Sequence, residues 1–203
     1  MTIARSTRVL ATAALLFVVL AACSDSNGDP ATSDSTSTTS PASATTPPTE
    51  SQKAASVAEA KLREYFAVRN RLRQDPSQSF GALKRIAIST ELTAQQRLFE
   101  KARRDRVHQT GETRIAELKV RNINLDNSDP QAGKVPVVQI DVCYDVSDVD
   151  LVNEDGQSVV SADRPETGWI RYTVANYEWD SDPDGAWRVA SGQDIERTPC
   201  AAL

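Results

Sequence analysis

Gly111 separates two hydrophobic rhythms. Before it, in KAASVAEAKLREYFAVRNRLRQD, the residues Val57, Leu62, Tyr65, Phe66, Val68 and Leu72 recur every three to four positions, the spacing of one helix face. After it the period falls to two. In VPVVQIDVCYDV, Val138, Ile140, Val142, Tyr144 and Val146 alternate with Gln139, Asp141, Cys143 and Asp145. Helices first and strands afterwards exclude alternating βαβ units. The order predicts an α+β domain, with N-terminal helices packed on a curved antiparallel sheet of about four long strands.

Within the helical part, Asp75-Pro76 is expected to end the first helix, because the residue before proline is pushed out of the helical region. PSQSFGALKRIAI reads as a short helix and a connector. STELTAQQRLFEKARRDRVHQTG reads as a second long helix, capped by Thr90 or Thr93, with Leu98, Ala102 and Val107 inward and Gly111 as its stop. TRIAELKVRNINL, VPVVQIDVCYDV, GWIRYTVANYEW and GAWRVASGQDIE read as the strands.

The two rhythms start only near Lys53. Upstream, residues 24–52 are almost all Ser, Thr, Ala, Pro and Asp, without apolar periodicity, and cannot bury enough surface to offset their ordering entropy. This segment is expected to be a disordered linker with a reach of roughly 30 Å. Before it, a basic start with Arg5 and Arg8 leads into the apolar stretch from Val9 to Ala22. That stretch falls short of the roughly twenty residues of a spanning helix and has the pattern of a secretory signal.

The signal ends in Leu20-Ala21-Ala22-Cys23, which resembles the lipobox of bacterial lipoproteins. The resemblance implies cleavage before Cys23, a diacylglycerol on its sulfur and a membrane anchor on the extracytoplasmic face. Two acyl chains hold lastingly where one does not. The expected organisation is a signal peptide at 1–22, a lipidated Cys23 and linker at 23–52, and a single domain at 53–203. The element order from 53 to 198 resembles the nuclear-transport-factor-2-like, or cystatin-like, cone fold. Actinobacterial membrane-anchored proteins of similar look end in a comparable hairpin, here Asp184-Gly185-Ala186-Trp187-Arg188-Val189. The cone resemblance implies a sheet wrapped around helices and a pocket at the wide end. Its relatives include cyclases and isomerases as well as non-catalytic modules, and the fold does not choose among them.

With Cys23 lipidated, Cys143 and Cys200 remain as an even pair in an oxidising compartment, and a disulfide between them is expected; two separate thiols are the alternative. A catalytic cysteine is disfavoured, since the one histidine, His108, falls at the end of a basic helix, where a surface or capping role is expected. Asp180, Asp182 and Asp184, with Gly185, imitate the opening of a calcium loop. The twelfth position is Ser191 instead of glutamate, so a solvated hairpin turn is the preferred reading and no metal is assigned. Trp169, Tyr172 and Trp187 are candidate pocket residues, set against the more common core role of strand aromatics.

Basic residues outnumber acidic ones about two to one from Lys61 to Arg121, and acidic ones prevail about three to one beyond. The arginines at 63, 69, 71, 73, 103, 104 and 106 offer a surface for an acidic envelope protein, anionic lipid or polymer. No phosphate-cradling glycine loop and no nucleic-acid signature is present, and no cofactor is expected apart from the lipid on Cys23. The functional expectation is a membrane-anchored, non-catalytic binding or interaction module. The alternatives are a lipid or sugar carrier using the cone pocket, and a cyclase- or isomerase-like enzyme.

Overall fold

A computed structural model describes residues 47–200 and Leu203. The expected signal peptide, Cys23 and most of the expected linker lie outside the described residues. Helix α1 (Glu50–Gln74) starts three residues before the expected boundary at Lys53. The reason is local: the Thr49 hydroxyl accepts from the Gln52 amide at 3.2 Å, and the Gln52 side chain accepts from the Thr49 amide at 2.8 Å. This reciprocal capping box satisfies two otherwise orphaned N–H groups. At the other end Asp75 caps the helix, where Pro76 requires it.

Helix α2 (Gly81–Ile86) fills the connector, and α3 spans Ser89–Asp105. Neither expected threonine caps α3. Thr90 donates to the carbonyl of Ala190 and Thr93 to that of Ser89, while Ile88 holds the cap position without a side-chain bond. The helix also stops earlier than Gly111, at Arg106 in a left-handed conformation. Gly111 serves a different purpose. It has φ +67°, and a Cβ there would stand 1.9 Å from the carbonyl oxygen of Asp148, so only glycine fits.

Four long strands form one antiparallel sheet in the order β2 (Arg114–Asn124), β3 (Val137–Asp145), β5 (Thr167–Asn176), β6 (Trp187–Asp194). Two short strands, β1 (His108–Thr110) and β4 (Asp150–Val152), pair separately. The expected α+β class is therefore observed. Leu62, Tyr65, Phe66 and Leu72 of α1, Leu83 and Ile86 of α2 and Phe99 of α3 pack on Val138, Ile140, Val142, Val174 and Val189 of the sheet. Each such fully buried side chain contributes roughly 1.5–3 kcal/mol.

Register shifts between Ile115 and Glu117 and between Val120 and Asn122 interrupt the β2–β3 ladder, and another interrupts β5–β6. Such bulges bend strands and raise their twist. The two sheet edges differ. On β6 the residues joining α2 to α3 lie alongside: Ala87 bridges Val189 in parallel, and the Ile88 amide donates to the Val189 carbonyl at 2.9 Å. Along β2 no strand among the described residues pairs on the outer side.

Candidate functional site

On the helix side of the sheet, α1 turns Tyr65, Arg69 and Arg73 toward the interior at four-residue intervals, one above another on a single face. Opposite them α3 presents Glu91, Gln95 and Phe99 at the same spacing, and β5 presents Tyr172. Glu91 is 5% exposed, and its carboxylate accepts from the Tyr65 hydroxyl and, at 2.9 Å, from Gln95 Nε2. Arg69 donates to the Tyr172 hydroxyl at 3.0 Å and lies over the rings of Tyr65 and Phe66. Gly192 makes room for this group: a Cβ there would approach the Tyr172 ring to 2.8 Å and the Glu91 carboxylate to 3.0 Å.

These contacts allocate the interior charges. Burial alone would lower the Arg69 pKa, but Tyr65, Tyr172 and Glu91 more than offset it, so Arg69 stays a firm cation. Burial raises the pKa of both phenols, Tyr65 and Tyr172. Glu91 supplies negative charge to both arginines through space. Burial and the neighbouring charge of Arg69 push the Arg73 guanidinium down to about 10 against the opposing pull of Tyr65, Tyr172 and Glu91, and no carboxylate among the described residues lies within salt-bridge distance of it.

Arg73 stands on a wall common to two cavities. One, of about 180 Å³, is lined by Phe99, Ala102, Val107, Gln109 and Leu151 among others. The other, of about 210 Å³, lies between Phe66, Arg69, Thr113, Tyr144, Val146 and Ile170. The first shares Ala102, Val107 and His108 with an open cleft of about 700 Å³ that also includes Arg103, Arg106 and Glu154. Buried polar atoms without a partner border the site: Oε1 of Gln109 beside the first cavity and Oγ1 of Thr113 beside the second. The Gln109 amide nitrogen is occupied by Asn70 Oδ1 at 3.3 Å and the Gly111 carbonyl at 3.1 Å, which leaves Oε1 as an acceptor.

The three candidate pocket aromatics do not come together. Tyr172 borders this interior. Trp169, three residues earlier on the same strand, necessarily points to the opposite face. Trp187 is 1% exposed in the core, edge-on to Trp179, and donates to the Pro183 carbonyl at 2.8 Å. His108 belongs to β1, paired with Val152, and not to a helix end. Leu98, expected inward, is 51% exposed. Asp180 accepts from Asn127 and Asp182 from the Gly185 amide, and among the described residues no three His, Cys, Asp or Glu side chains gather as a metal group. Arg69 and Arg73, expected on a basic surface, are half-buried and face inward; Arg63, Arg71, Arg103, Arg104 and Arg106 are exposed.

The far face of the sheet carries a second constellation. Cys143 is bonded to Cys200 with their Cα atoms 6.3 Å apart, which draws the C-terminal tail across β3 and β5. Trp169 donates its indole N–H to the Thr198 carbonyl at 3.0 Å, and the Leu203 amide reaches Asp145 at 2.6 Å. Asp141 and Asp145, on the polar side of β3, are consequently fully buried.

Neither a protein-family model nor a curated protein matches the sequence. Among the solved structures that match, two align with 70% of the chain. The intermembrane space region of the chloroplast protein ARC6 does so at 14% identity and a TM-score of 0.47, over 97% of its own length. A periplasmic fragment of TraM does so at 13% identity and 0.36, over 96% of its length. Likeness at these levels leaves the reading of the site to its own residues. No helix among the described residues is long and apolar enough to cross a membrane.

Proposed function

We propose that this chain is a non-catalytic binding module of the cell envelope, a carrier of a small ligand in the cavities that Arg73 borders. It would be held on the extracytoplasmic face by a diacylglycerol on Cys23. The single observation that carries the binding reading is Arg73, a cation on the wall common to two cavities with no carboxylate beside it. Arg73 is half-buried, and a cation on a cavity wall without a nearby anion gains by meeting one there. The helix-then-sheet order with cavities between the layers is in keeping with the cone resemblance. Binding is preferred to proton transfer because Glu91 is already engaged by Tyr65 and Gln95.

The test is methyl NMR of the full chain against a fragment set of charged and neutral compounds. Shifts confined to Val107, Leu151 and the Ile170 neighbourhood are expected; shifts scattered over the surface would refute the cavity reading. The anchor is tested by fractionation: the wild-type chain is expected in membranes and a Cys23→Ala chain in the soluble fraction. Equal distribution of the two would refute it. The exposed Arg63, Arg71 and Arg104 support a second reading, contact with an acidic envelope partner. It predicts salt-sensitive capture that their replacement by alanine abolishes.

A further inference from the structure

The proposal concerns the chemical class of ligand and rests on the cavity reading above. The smaller cavity has three kinds of wall. Phe99, Ala102, Val107 and Leu151 give it an apolar body. Arg73 supplies one positive charge with no carboxylate among the described residues within salt-bridge distance; Glu91, bonded to Tyr65 and Gln95, acts on it only through space. Gln109, 2% exposed, supplies one buried acceptor without a donor. A monoanion satisfies the first need and a hydroxyl the second. Size sets the rest: about 180 Å³ is below the roughly 300–1,000 Å³ of drug-sized pockets, so the occupant is fragment-sized.

We infer that this cavity takes a small hydroxylated monocarboxylate, with its carboxylate against Arg73, its hydroxyl donating to Gln109 Oε1, and its apolar body against Phe99, Val107 and Leu151. A guanidinium suits a carboxylate because its planar fork matches the two oxygens. A buried acceptor discriminates strongly against an analogue that leaves it unpaired. His108 and Ala102, shared with the open cleft, put the entrance on that side.

The probes are benzoate, its three monohydroxy isomers, benzyl alcohol and benzylamine, titrated into the full chain and followed by methyl NMR. At least one hydroxybenzoate is expected to bind more tightly than benzoate, and benzoate about tenfold more tightly than benzyl alcohol, with benzylamine weakest. Arg73→Met is expected to erase the preference of acid over alcohol, Arg73→Lys to restore most of it, and Gln109→Leu to erase only the preference for the hydroxyl. If benzyl alcohol or benzylamine matches the acids in the wild-type chain, the carboxylate assignment is wrong while the cavity reading stands. If no hydroxy isomer exceeds benzoate, the role of Gln109 is wrong. If none of the probes moves the Val107 and Leu151 methyl signals at millimolar concentration, the cavity reading fails and this inference with it. The wild-type series alone decides between these results should a variant not fold.

Discussion

Arg197 of the C-terminal tail lies 2.7 Å from the buried carboxylate of Asp141 and 5.0 Å from the ring centre of Trp169. Arg171 joins the same carboxylate at 2.6 Å and Arg121 more loosely at 3.4 Å. Replacing Asp141 by asparagine would leave these arginines without their common anion. Removing one partner of a buried pair costs about 3–5 kcal/mol, and the partial exposure of all three arginines reduces that here. Asp141→Asn is expected to lower unfolding stability by about 2 kcal/mol in urea titration; a change below about 0.5 kcal/mol would contradict the assigned role.

Acid should act through the same face. Burial alone would raise the pKa of both Asp141 and Asp145, but arginine contacts around the first and amide, hydroxyl and arginine hydrogen bonds around the second hold both below the ordinary carboxylate value. A folded pKa below the unfolded one means that the unfolded chain binds protons first as pH falls. The stabilisation is therefore complete above about pH 5 and shrinks from about pH 4 downward. Thermal melts between pH 7 and pH 3 are expected to show that decline, less steeply in Asp145→Asn. A flat profile in the wild-type chain would argue against it.

The bridge between Cys143 and Cys200 spans 57 residues, for which loop-closure entropy gives about 4 kcal/mol as an upper figure. Dithiothreitol, or the paired Cys143→Ser and Cys200→Ser changes, should lower the melting temperature. It should also shift tryptophan emission to the red, as Trp169 loses the Thr198 carbonyl and the Arg197 guanidinium. Unchanged emission after complete reduction would mean that the other tail contacts suffice.

Glu91→Ala is predicted to cost about 3 kcal/mol, since it strips Arg69 of its counter-charge and leaves Tyr65 and Gln95 without their acceptor. Glu91→Gln, which keeps an acceptor, should cost less. Chemical denaturation of the two variants checks the ranking, and equal losses would mean that the lost charge, not the lost acceptor, sets the cost.

The helix-to-strand switch at the middle of the chain was legible because periodicity is a local property. So was the end of α1 at Asp75. The inward turn of Arg69 and Arg73 has no signal in their polarity, but Tyr65, Arg69 and Arg73 fall at the same four-residue spacing as the apolar stripe, and Glu91, Gln95 and Phe99 repeat it on α3. Spacing, not polarity, marks both rows. Trp169 and Tyr172 do not share a pocket for a comparable reason: an odd separation on a strand places them on opposite faces. The burial of Asp141 and Asp145 had no local signal. It depends on a tail that returns some fifty residues later to cover them.

The unequal edges of the sheet limit how copies of this domain can join. In the four-stranded sheet, Ala87 and Ile88 flank β6 at Val189, whereas along β2 no described residue does so, which makes β2 the more open edge for a foreign strand. Two copies meeting β2 to β2 would each turn the partly flanked β6 edge outward, so further strand addition would be harder than the first. Glu117, Lys119 and Arg121, together with the two register shifts, make even that first step unfavourable. This is protection against templated aggregation written into the order of its strands.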